Sequence, residues 1–248
     1  MGETPEIGGE PAGRKMNEIQ ITAVPARLPR LAALLCALLL QAAPAGARQQ
    51  PPKEEGRFRR PDLVEIIKLE RGIRLDIRYA TADNFTGRAV YPEARAFLQR
   101  PAARALVRAH RALRRQGFGL VVFDAYRPWH VTKLFWDITP EDKKEFVADP
   151  ARGSRHNRGC AVDLTLYDLK TGRQVSMPSA FDDFTERAHV NYAGGSDDER
   201  RHRGILRAAM EAAGFTVYEP EWWHFDYKDW REYPILNTGF SEIGKARG

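Results

Sequence analysis

Cysteine is almost missing from this sequence, which has two cysteines in 248 residues, Cys36 and Cys160. Cys36 lies in an N-terminal segment that we expect to be removed, so that the mature chain keeps Cys160 alone. A single cysteine excludes an intramolecular disulfide, even in an oxidising compartment. Cys160 could be a metal ligand or a nucleophile, but its small neighbours Gly159 and Ala161 favour a residue packed beneath a site.

Long hydrophobic runs are also missing. The apolar run at residues 31–40 is too short to span a bilayer comfortably. Arg27 and Arg30 precede it and small residues follow it, which is the pattern of a secretory signal. We therefore predict a leader and signal peptide over residues 1–47, cleaved after Ala45 or Ala47. The mature protein is then exported, periplasmic or secreted, without a stable membrane anchor, and an uncleaved anchor is the alternative.

A block of charge of one sign is missing as well. The net charge is +6, and Lys and Arg recur along most of the chain. Because no nucleic-acid-binding module is visible, the pattern favours a soluble cationic surface over a nucleic-acid partner. The hydrophobic content of 43% is enough for one core. Residues 48–60, with two prolines and mixed charge, are predicted to form a linker, followed by a single domain over residues 61–248.

The spacing of apolar residues predicts the elements of this domain. Residues 73–79 alternate between apolar and polar side chains with a period of two, which predicts a half-buried strand. Helices are predicted at residues 101–117, at 133–136 and after the capping box at 196–199. Further strands are predicted at residues 119–123, 161–167, 215–218 and 222–227. These elements predict an α+β fold, with helices packed on a mostly antiparallel central sheet.

Two of the six histidines come with acidic residues at chemically useful separations. His156 lies in a glycine-hinged loop, and Asp163 follows on a strand whose alternation can point it into a site. His224 lies near the end of the domain. Two neutral imidazoles and one carboxylate are the ligand set of a catalytic zinc site, which leaves a fourth position open for water. The sequence therefore predicts one Zn²⁺ per chain, held by His156, Asp163 and His224.

Glu221 and Arg127 are the candidate catalytic residues. Glu221 is not needed as a ligand and is the natural general base for a metal-activated water. On an ideal strand Glu221 and His224 face opposite sides, so a bend at Pro220 is required to bring both to one metal. Arg127 ends an apolar strand, where its guanidinium can pair with Asp124 or stabilise a developing oxyanion. Together these residues indicate a metallohydrolase.

The other four histidines carry weaker signals. His110 and His202 lie in predicted helices that are dense with arginine, so we expect both to be solvated surface groups. His130 and His189 stay candidates for contacts to the metal ligands or to the substrate.

Five stretches of the chain resemble one enzyme family. They are residues 79–87 (YATADNFTG), 124–128 (DAYRP), 154–167 (SRHNRGCAVDLTLY), 181–187 (FDDFTER) and 221–224 (EWWH). In this order, across residues 61–235, they resemble the D-alanyl-D-alanine dipeptidases of the vancomycin-resistance type. These are zinc peptidases that share the hedgehog/D-Ala metallopeptidase fold.

The resemblance implies a role for each matching position. The resemblance implies that the zinc ligands are His156, Asp163 and His224. It implies that Glu221 is the catalytic base and that Arg127 stabilises the transition state. Substrate contacts are implied at Asp182 and Ser154, which bind the free amino end, and at Tyr79, which lies at the pocket. The implied activity is zinc-dependent hydrolysis of D-alanyl-D-alanine to D-alanine, with a small dipeptide as the partner. The sequence does not fix an oligomeric state.

Two alternatives stay open at this point. The same metal chemistry would serve a D,D- or L,D-carboxypeptidase that trims peptidoglycan peptides. A non-catalytic, zinc-stabilised binding domain is the second alternative. The presence of both Glu221 and Arg127 argues against it, because a binding domain has no need of either side chain.

Overall fold

The computed structural model describes residues 50–245 of the chain. The predicted signal segment, residues 1–47, lies outside the described residues. None of the helices within residues 50–245 combines the length and the apolar character that a membrane span requires. Residues 50–60 contain no helix or strand. Glu54 ties them to the domain, because its carboxylate accepts hydrogen bonds from the Arg158 guanidinium at 2.5 Å and from the Ile235 N–H at 2.6 Å.

The described part of the chain contains seven strands and four α-helices, besides 3-10 turns and loops. In chain order the strands are β1 (Leu63–Glu65), β2 (Arg74–Leu75), β3 (Phe97–Gln99), β4 (Phe118–Asp124), β5 (Ala161–Asp168), β6 (Phe215–Tyr218) and β7 (Glu221–Tyr227). The α-helices are α1 (Ile66–Leu69), α2 (Arg100–Arg114), α3 (Trp129–Ile138) and α4 (Asp197–Ala212).

A five-stranded sheet lies at the centre of the domain, in the order β2-β4-β5-β7-β6. β2 runs parallel to β4, and the other neighbouring strands are antiparallel. β1 and β3 form a separate antiparallel pair. The predicted α+β fold with a mostly antiparallel sheet is therefore confirmed, and its one parallel pair makes the central sheet mixed.

The main core lies between the sheet and the helices α2 and α4, which pack beside each other. Leu106 of α2 and Leu206 of α4 share this core with Val162 and Leu164 of β5. Burying each such side chain contributes about 1.5–3 kcal/mol. Since successive side chains of a strand point to opposite faces, Asp163 lies on the face turned away from this core. The alternation of β5 thus separates a core face from a face available for chemistry.

The start of α4 is fixed by the predicted capping box. Ser196 Oγ accepts a hydrogen bond from the Glu199 N–H at 3.2 Å, and the Glu199 carboxylate accepts one from the Ser196 N–H at 2.7 Å. Two N–H groups at the helix start are satisfied in this way, and such a cap stabilises a helix by about 1 kcal/mol.

Residues 73–79 form much less strand than their alternation predicts. The strand comprises Arg74–Leu75, and Arg78–Ala80 form a 3-10 turn. The carbonyl of Tyr79 accepts hydrogen bonds from the N–H groups of Val90 and Tyr91, at 2.8 and 2.9 Å. The Tyr79 carbonyl is therefore hydrogen-bonded to a loop, and not to a neighbouring strand as the alternation predicts.

The expectation that His110 is solvated is wrong. The residue is buried on α2, four residues after Leu106 and three before Leu113, which are both buried. Its Nδ1 accepts a hydrogen bond from the Leu120 N–H at 3.3 Å. Burial lowers the pKa of the His110 imidazole. The arginines of α2 mark its solvent side, whereas His110 follows the apolar spacing. His202 is half-buried, with Nδ1 3.1 Å from the Ser176 carbonyl oxygen.

Candidate metal centre and active site

The three predicted metal ligands meet on neighbouring elements of the sheet. Asp163 on β5 lies opposite His224 on β7 in the strand register. His156 begins a 3-10 turn, His156–Arg158, that directly precedes β5. This turn ends at Gly159 with φ 67°, a left-handed conformation that glycine adopts without steric cost. The turn brings the His156 imidazole to the two strand residues.

The ligand atoms of these residues are buried and close together. His156 Nε2 lies 3.1 Å from His224 Nδ1 and 3.4 Å from Asp163 Oδ2. His224 Nδ1 lies 3.0 Å from Asp163 Oδ1. Two nitrogen ligands at zinc distances of about 2.0–2.1 Å in a tetrahedral site stand roughly 3.3–3.4 Å apart. The three separations are therefore close to those that a single tetrahedral ion requires.

The outer nitrogens of both imidazoles are occupied, which fixes their tautomers. His156 Nδ1 lies 2.6 Å from the Ala125 carbonyl oxygen, and His224 Nε2 lies 2.9 Å from Asp226 Oδ1. Both partners accept hydrogen bonds, so these nitrogens keep their protons when the rings are neutral, the form in which an imidazole binds a metal. The inner nitrogens then present lone pairs to each other, and a cation between them removes the repulsion. Metal-ligating histidines usually donate their second N–H to a carbonyl or carboxylate in this way.

Asp163 makes the site favourable for positive charge. Its Oδ1 is buried and has no hydrogen bond to any residue that the structure describes. Such an oxygen costs free energy unless it binds a cation. Burial opposes ionisation of Asp163, but His156 and His224 outweigh it and lower the carboxyl pKa. Burial likewise opposes a charge on His224, yet Asp226 and Asp163 raise the pKa of its imidazole. The donor set therefore fits Zn²⁺.

Glu221 stands beside the ligand residues. Its Oε2 lies 3.8 Å from His224 Nδ1. The pairing of β6 with β7 is irregular here, because Val217 pairs with Phe225 while Tyr218 pairs with Glu221. This bulge releases Glu221 from strict alternation, so both side chains reach one site. Burial raises the pKa of the Glu221 carboxyl to about 7, which suits a general base at neutral pH.

The structure also places Arg127 at this site, three residues after the end of β4. Its Nε and Nη2 donate to Asp124 Oδ2 at 2.9 and 2.8 Å, and Nη2 lies 3.8 Å from Asp163 Oδ2. Asp124 in turn accepts a hydrogen bond from the Tyr91 hydroxyl at 2.8 Å. The ion pair with Asp124 and a role for Arg127 at the site are therefore compatible, since the carboxylate holds the guanidinium in place.

The three residues assigned to the substrate line the same cavity as the ligands. The Tyr79 hydroxyl donates to the Asp182 carboxylate and lies 3.1 Å from both of its oxygens. Burial raises the pKa of the Asp182 carboxyl. Ser154 Oγ accepts a hydrogen bond from the His156 N–H at 3.1 Å. Ser154 thus holds the loop of the predicted metal ligand His156 in addition to facing the cavity.

The cavity itself is small. Its volume is about 110 Å³, which is less than the roughly 300–1,000 Å³ of typical ligand pockets. Phe85, Phe135 and Trp223 supply apolar wall opposite the charged residues. A cavity of this size admits a small substrate.

Asp226 is a site residue that the sequence patterns did not single out. It accepts the hydrogen bond from His224 and lies 3.4 Å from the Arg155 guanidinium. A signal was present, because Asp226 follows His224 by two residues and residues i and i+2 of a strand share a face.

Three other candidates lie outside the cavity. His130 is exposed, with Nδ1 2.6 Å from Asn237 Oδ1, and His189 is exposed as well. Cys160 is buried, and burial raises the pKa of its thiol. Within residues 50–245 the candidate metal-binding group consists of His156, Asp163 and His224 without Cys160.

Comparison with known proteins decides the family. The D-ala-D-ala dipeptidase family model matches residues 59–244. The chain belongs to this family. A D-alanyl-D-alanine dipeptidase from Escherichia coli (strain K12) is 36% identical over 180 residues, covering 73% of this chain and 92% of the relative. One from Enterococcus faecium is 39% identical over 190 residues, covering 69% of this chain and 92% of the relative.

As a member of the D-ala-D-ala dipeptidase family, the chain is an enzyme, a metallopeptidase. The matched range contains all the site residues described above. Among solved structures, the LdcB LD-carboxypeptidase, described for peptidoglycan recognition, aligns with a TM-score of 0.39 and 19% identity, covering 79% of this chain and 86% of that one. This likeness is too distant to bear on the substrate.

Proposed function

We propose that this dipeptidase-family enzyme hydrolyses D-alanyl-D-alanine to two molecules of D-alanine, with one Zn²⁺ per chain held by His156, Asp163 and His224. The observation that carries the proposal is the meeting of these three ligand atoms, all within 4.8 Å of one another. Glu221 lies beside them in a cavity of about 110 Å³. The D-alanyl-D-alanine dipeptidases to which the chain is similar support the choice of substrate.

Zinc, when bound, supplies a Lewis acid that polarises the substrate carbonyl and lowers the pKa of a water molecule. Glu221 acts as the general base, taking a proton from the attacking water and passing it to the leaving amine. The pKa of its buried carboxyl is about 7. This value supports both transfers, because a group whose pKa is near the working pH both accepts and releases a proton readily.

Arg127 stabilises the negative charge that develops on the attacked carbonyl oxygen. Asp124 holds two nitrogens of its guanidinium, so the positive charge is positioned before substrate arrives. Positioned donors of this kind typically lower a barrier by about 3 kcal/mol each.

Asp182 selects the free amino end of the substrate. The ammonium group of a bound substrate favours the ionised form of the buried Asp182 carboxyl, and the Tyr79 hydroxyl holds that carboxylate in place. Ser154 faces the same space from the His156 loop. A substrate whose amino nitrogen is acylated carries no charge for Asp182 to bind, so the enzyme acts as a dipeptidase rather than an endopeptidase.

The direct experiment is hydrolysis of D-Ala-D-Ala by the mature enzyme before and after treatment with a chelator, with L-Ala-L-Ala as the control substrate. We expect turnover of D-Ala-D-Ala, its loss in chelator and its return on adding Zn²⁺. Turnover that persists in chelator would rule out the metal mechanism, and equal turnover of L-Ala-L-Ala would rule out the proposed substrate.

We also propose that the mature enzyme acts outside the cytoplasm after removal of residues 1–47. The short apolar run at 31–40 with its basic flank supports this proposal. N-terminal sequencing of the enzyme recovered from the extracytoplasmic fraction tests it. Recovery from the cytoplasm with an intact N-terminus would contradict it.

A further inference from the structure

A second cavity adjoins the candidate active site. Its volume is about 410 Å³, and it shares two lining residues, Phe85 and Asp182, with the first cavity. Ser179 and Trp222 form part of its buried floor. Its rim includes the exposed Gln174. The second cavity is therefore a surface cleft whose inner end meets the active site at two side chains.

Thr165 continues the face of β5 that carries Asp163 into this cleft. It follows Asp163 by two residues, so both side chains point to the same side of the sheet. Thr165 is 2% exposed and lines the second cavity. Its buried Oγ1 has no hydrogen-bond partner among residues 50–245. Because a buried hydroxyl without a partner is unfavourable, its position favours a polar ligand group in the cleft.

Asp182 forms the wall between the two cavities and has an unusual backbone. Among the residues described, it is the one non-glycine with positive φ, at 58°. Such conformations are strained for residues with a side chain and are concentrated at ligand-binding and catalytic sites. The hydrogen bonds from the Tyr79 hydroxyl fix the carboxylate at the boundary with Phe85.

We propose that the second cavity is a subsite for a neutral acyl group on the amino side of D-Ala-D-Ala, and that Asp182 closes it in this enzyme. The inference rests on the proposed function, in which Asp182 faces the amino end of the substrate. An extension beyond that nitrogen leads past Asp182 into the cleft. The hydroxyl of Thr165 and the carboxamide of Gln174 suit an amide group, and Phe123 and Val175 suit its apolar part.

The exclusion of longer peptides is then due to one side chain rather than to lack of space. Without that wall the enzyme would act as a carboxypeptidase on the acylated dipeptide. Water adds to the carbonyl of the penultimate D-alanine, the C–N bond breaks, and the leaving nitrogen takes a proton. The products are acyl-D-alanine and free D-alanine.

The test compares Asp182→Gly with Asp182→Asn in the zinc-loaded mature enzyme, with N-acetyl-D-Ala-D-Ala as the substrate. Asparagine removes the charge and keeps the wall, whereas glycine removes both and adopts positive φ without strain. We expect kcat/KM to be higher for the glycine variant by about tenfold or more, the size of effect that a methylene-sized obstruction produces. A smaller ratio overturns the proposal. Asp182→Ser is measured in parallel. If the glycine variant does not unfold cooperatively and is therefore not properly folded, the ratio of kcat/KM between Asp182→Ser and Asp182→Asn decides instead.

Thr165→Val shows where the acyl group lies, because valine matches the shape of threonine and removes its hydroxyl. In the Asp182→Gly background we expect kcat/KM for the acetylated dipeptide to fall by about threefold, the effect of one lost hydrogen bond. An unchanged value places the acyl group outside the cleft and overturns the subsite.

The single variant Thr165→Val, with Asp182 intact, is the control and is expected to keep its turnover of D-Ala-D-Ala. Wild-type turnover of D-Ala-D-Ala also separates the two proposals. Its absence contradicts the proposed function, whereas its presence with a small glycine-to-asparagine ratio contradicts the subsite alone.

Discussion

Asp163 and His224 are direct partners in the register of β5 and β7, with 3.0 Å between Asp163 Oδ1 and His224 Nδ1. The hydrogen-bond ladder of the sheet sets this distance. Two of the three proposed metal ligands are therefore on rigid elements, and a loop tied down through Ser154 supplies the third. Sites held on strands keep the geometry that metal binding needs better than sites built on loops alone.

Replacing Glu221 by glutamine tests the general base. The amide keeps the size of the side chain but takes no proton, so we expect kcat for D-Ala-D-Ala to fall by about 10²–10⁴-fold. Zinc content should not change, because Glu221 is not one of the three ligands. Glu219→Gln, an exposed position two residues earlier, is the matched control. Full turnover, or loss of zinc, in the Glu221 variant would contradict this role.

Asp226→Ala tests the residue that fixes the tautomer of His224. Without the acceptor for its Nε2 proton, the imidazole is no longer held with its Nδ1 lone pair toward the metal. We expect zinc affinity to weaken by about 10–100-fold, measured by competition with a chromogenic chelator. Asp198→Ala, on the exposed start of α4, is the control. A dissociation constant equal to that of the wild type would show that Asp226 does not support the site.

His110 predicts a pH dependence of stability. Burial lowers its pKa in the folded protein, so the unfolded chain binds this proton more readily. The stabilisation from neutral His110 is complete above the ordinary pKa of about 6.5 and is lost as the pH falls below it, by at most about 1.4 kcal/mol per pH unit.

The measurement is urea unfolding of the wild type and of His110→Asn, from about pH 7.5 to about pH 5.5, which brackets the range in which histidine titrates. Asparagine can keep the hydrogen bond from Leu120. We expect the wild type to lose more of its free energy of unfolding than the variant. Equal losses would show that His110 does not carry this dependence, and His130→Asn controls for removal of an exposed histidine.

The metal-ligand candidates were accessible from the sequence because residue type and local periodicity suffice for them. The alternation of β5 separates Asp163 from its apolar neighbours, and few other histidines come with a carboxylate. The alternation of β7 likewise places Asp226 on the face of His224. His110 was misjudged because the arginines of α2 were given more weight than the spacing of Leu106 and Leu113.

Other parts of the site depend on contacts that no local pattern encodes. The approach of Glu221 to His224 needs the irregular pairing of β6 with β7, which three strands set together. The strand expected at 73–79 is cut short because the loop at Val90 and Tyr91 takes the hydrogen bonds of Tyr79. The wall at Asp182 depends on a positive φ that Tyr79 supports from over one hundred residues away.

Zinc content of purified variants tests the central claim most directly. The wild type and His130→Ala, which changes an exposed histidine outside the cavity, should each bind one zinc per chain by native mass spectrometry. His156→Ala and His224→Ala should lose the metal while keeping a cooperative unfolding transition. A folded His156→Ala or His224→Ala protein that still carries one zinc per chain would contradict the metal site proposed here.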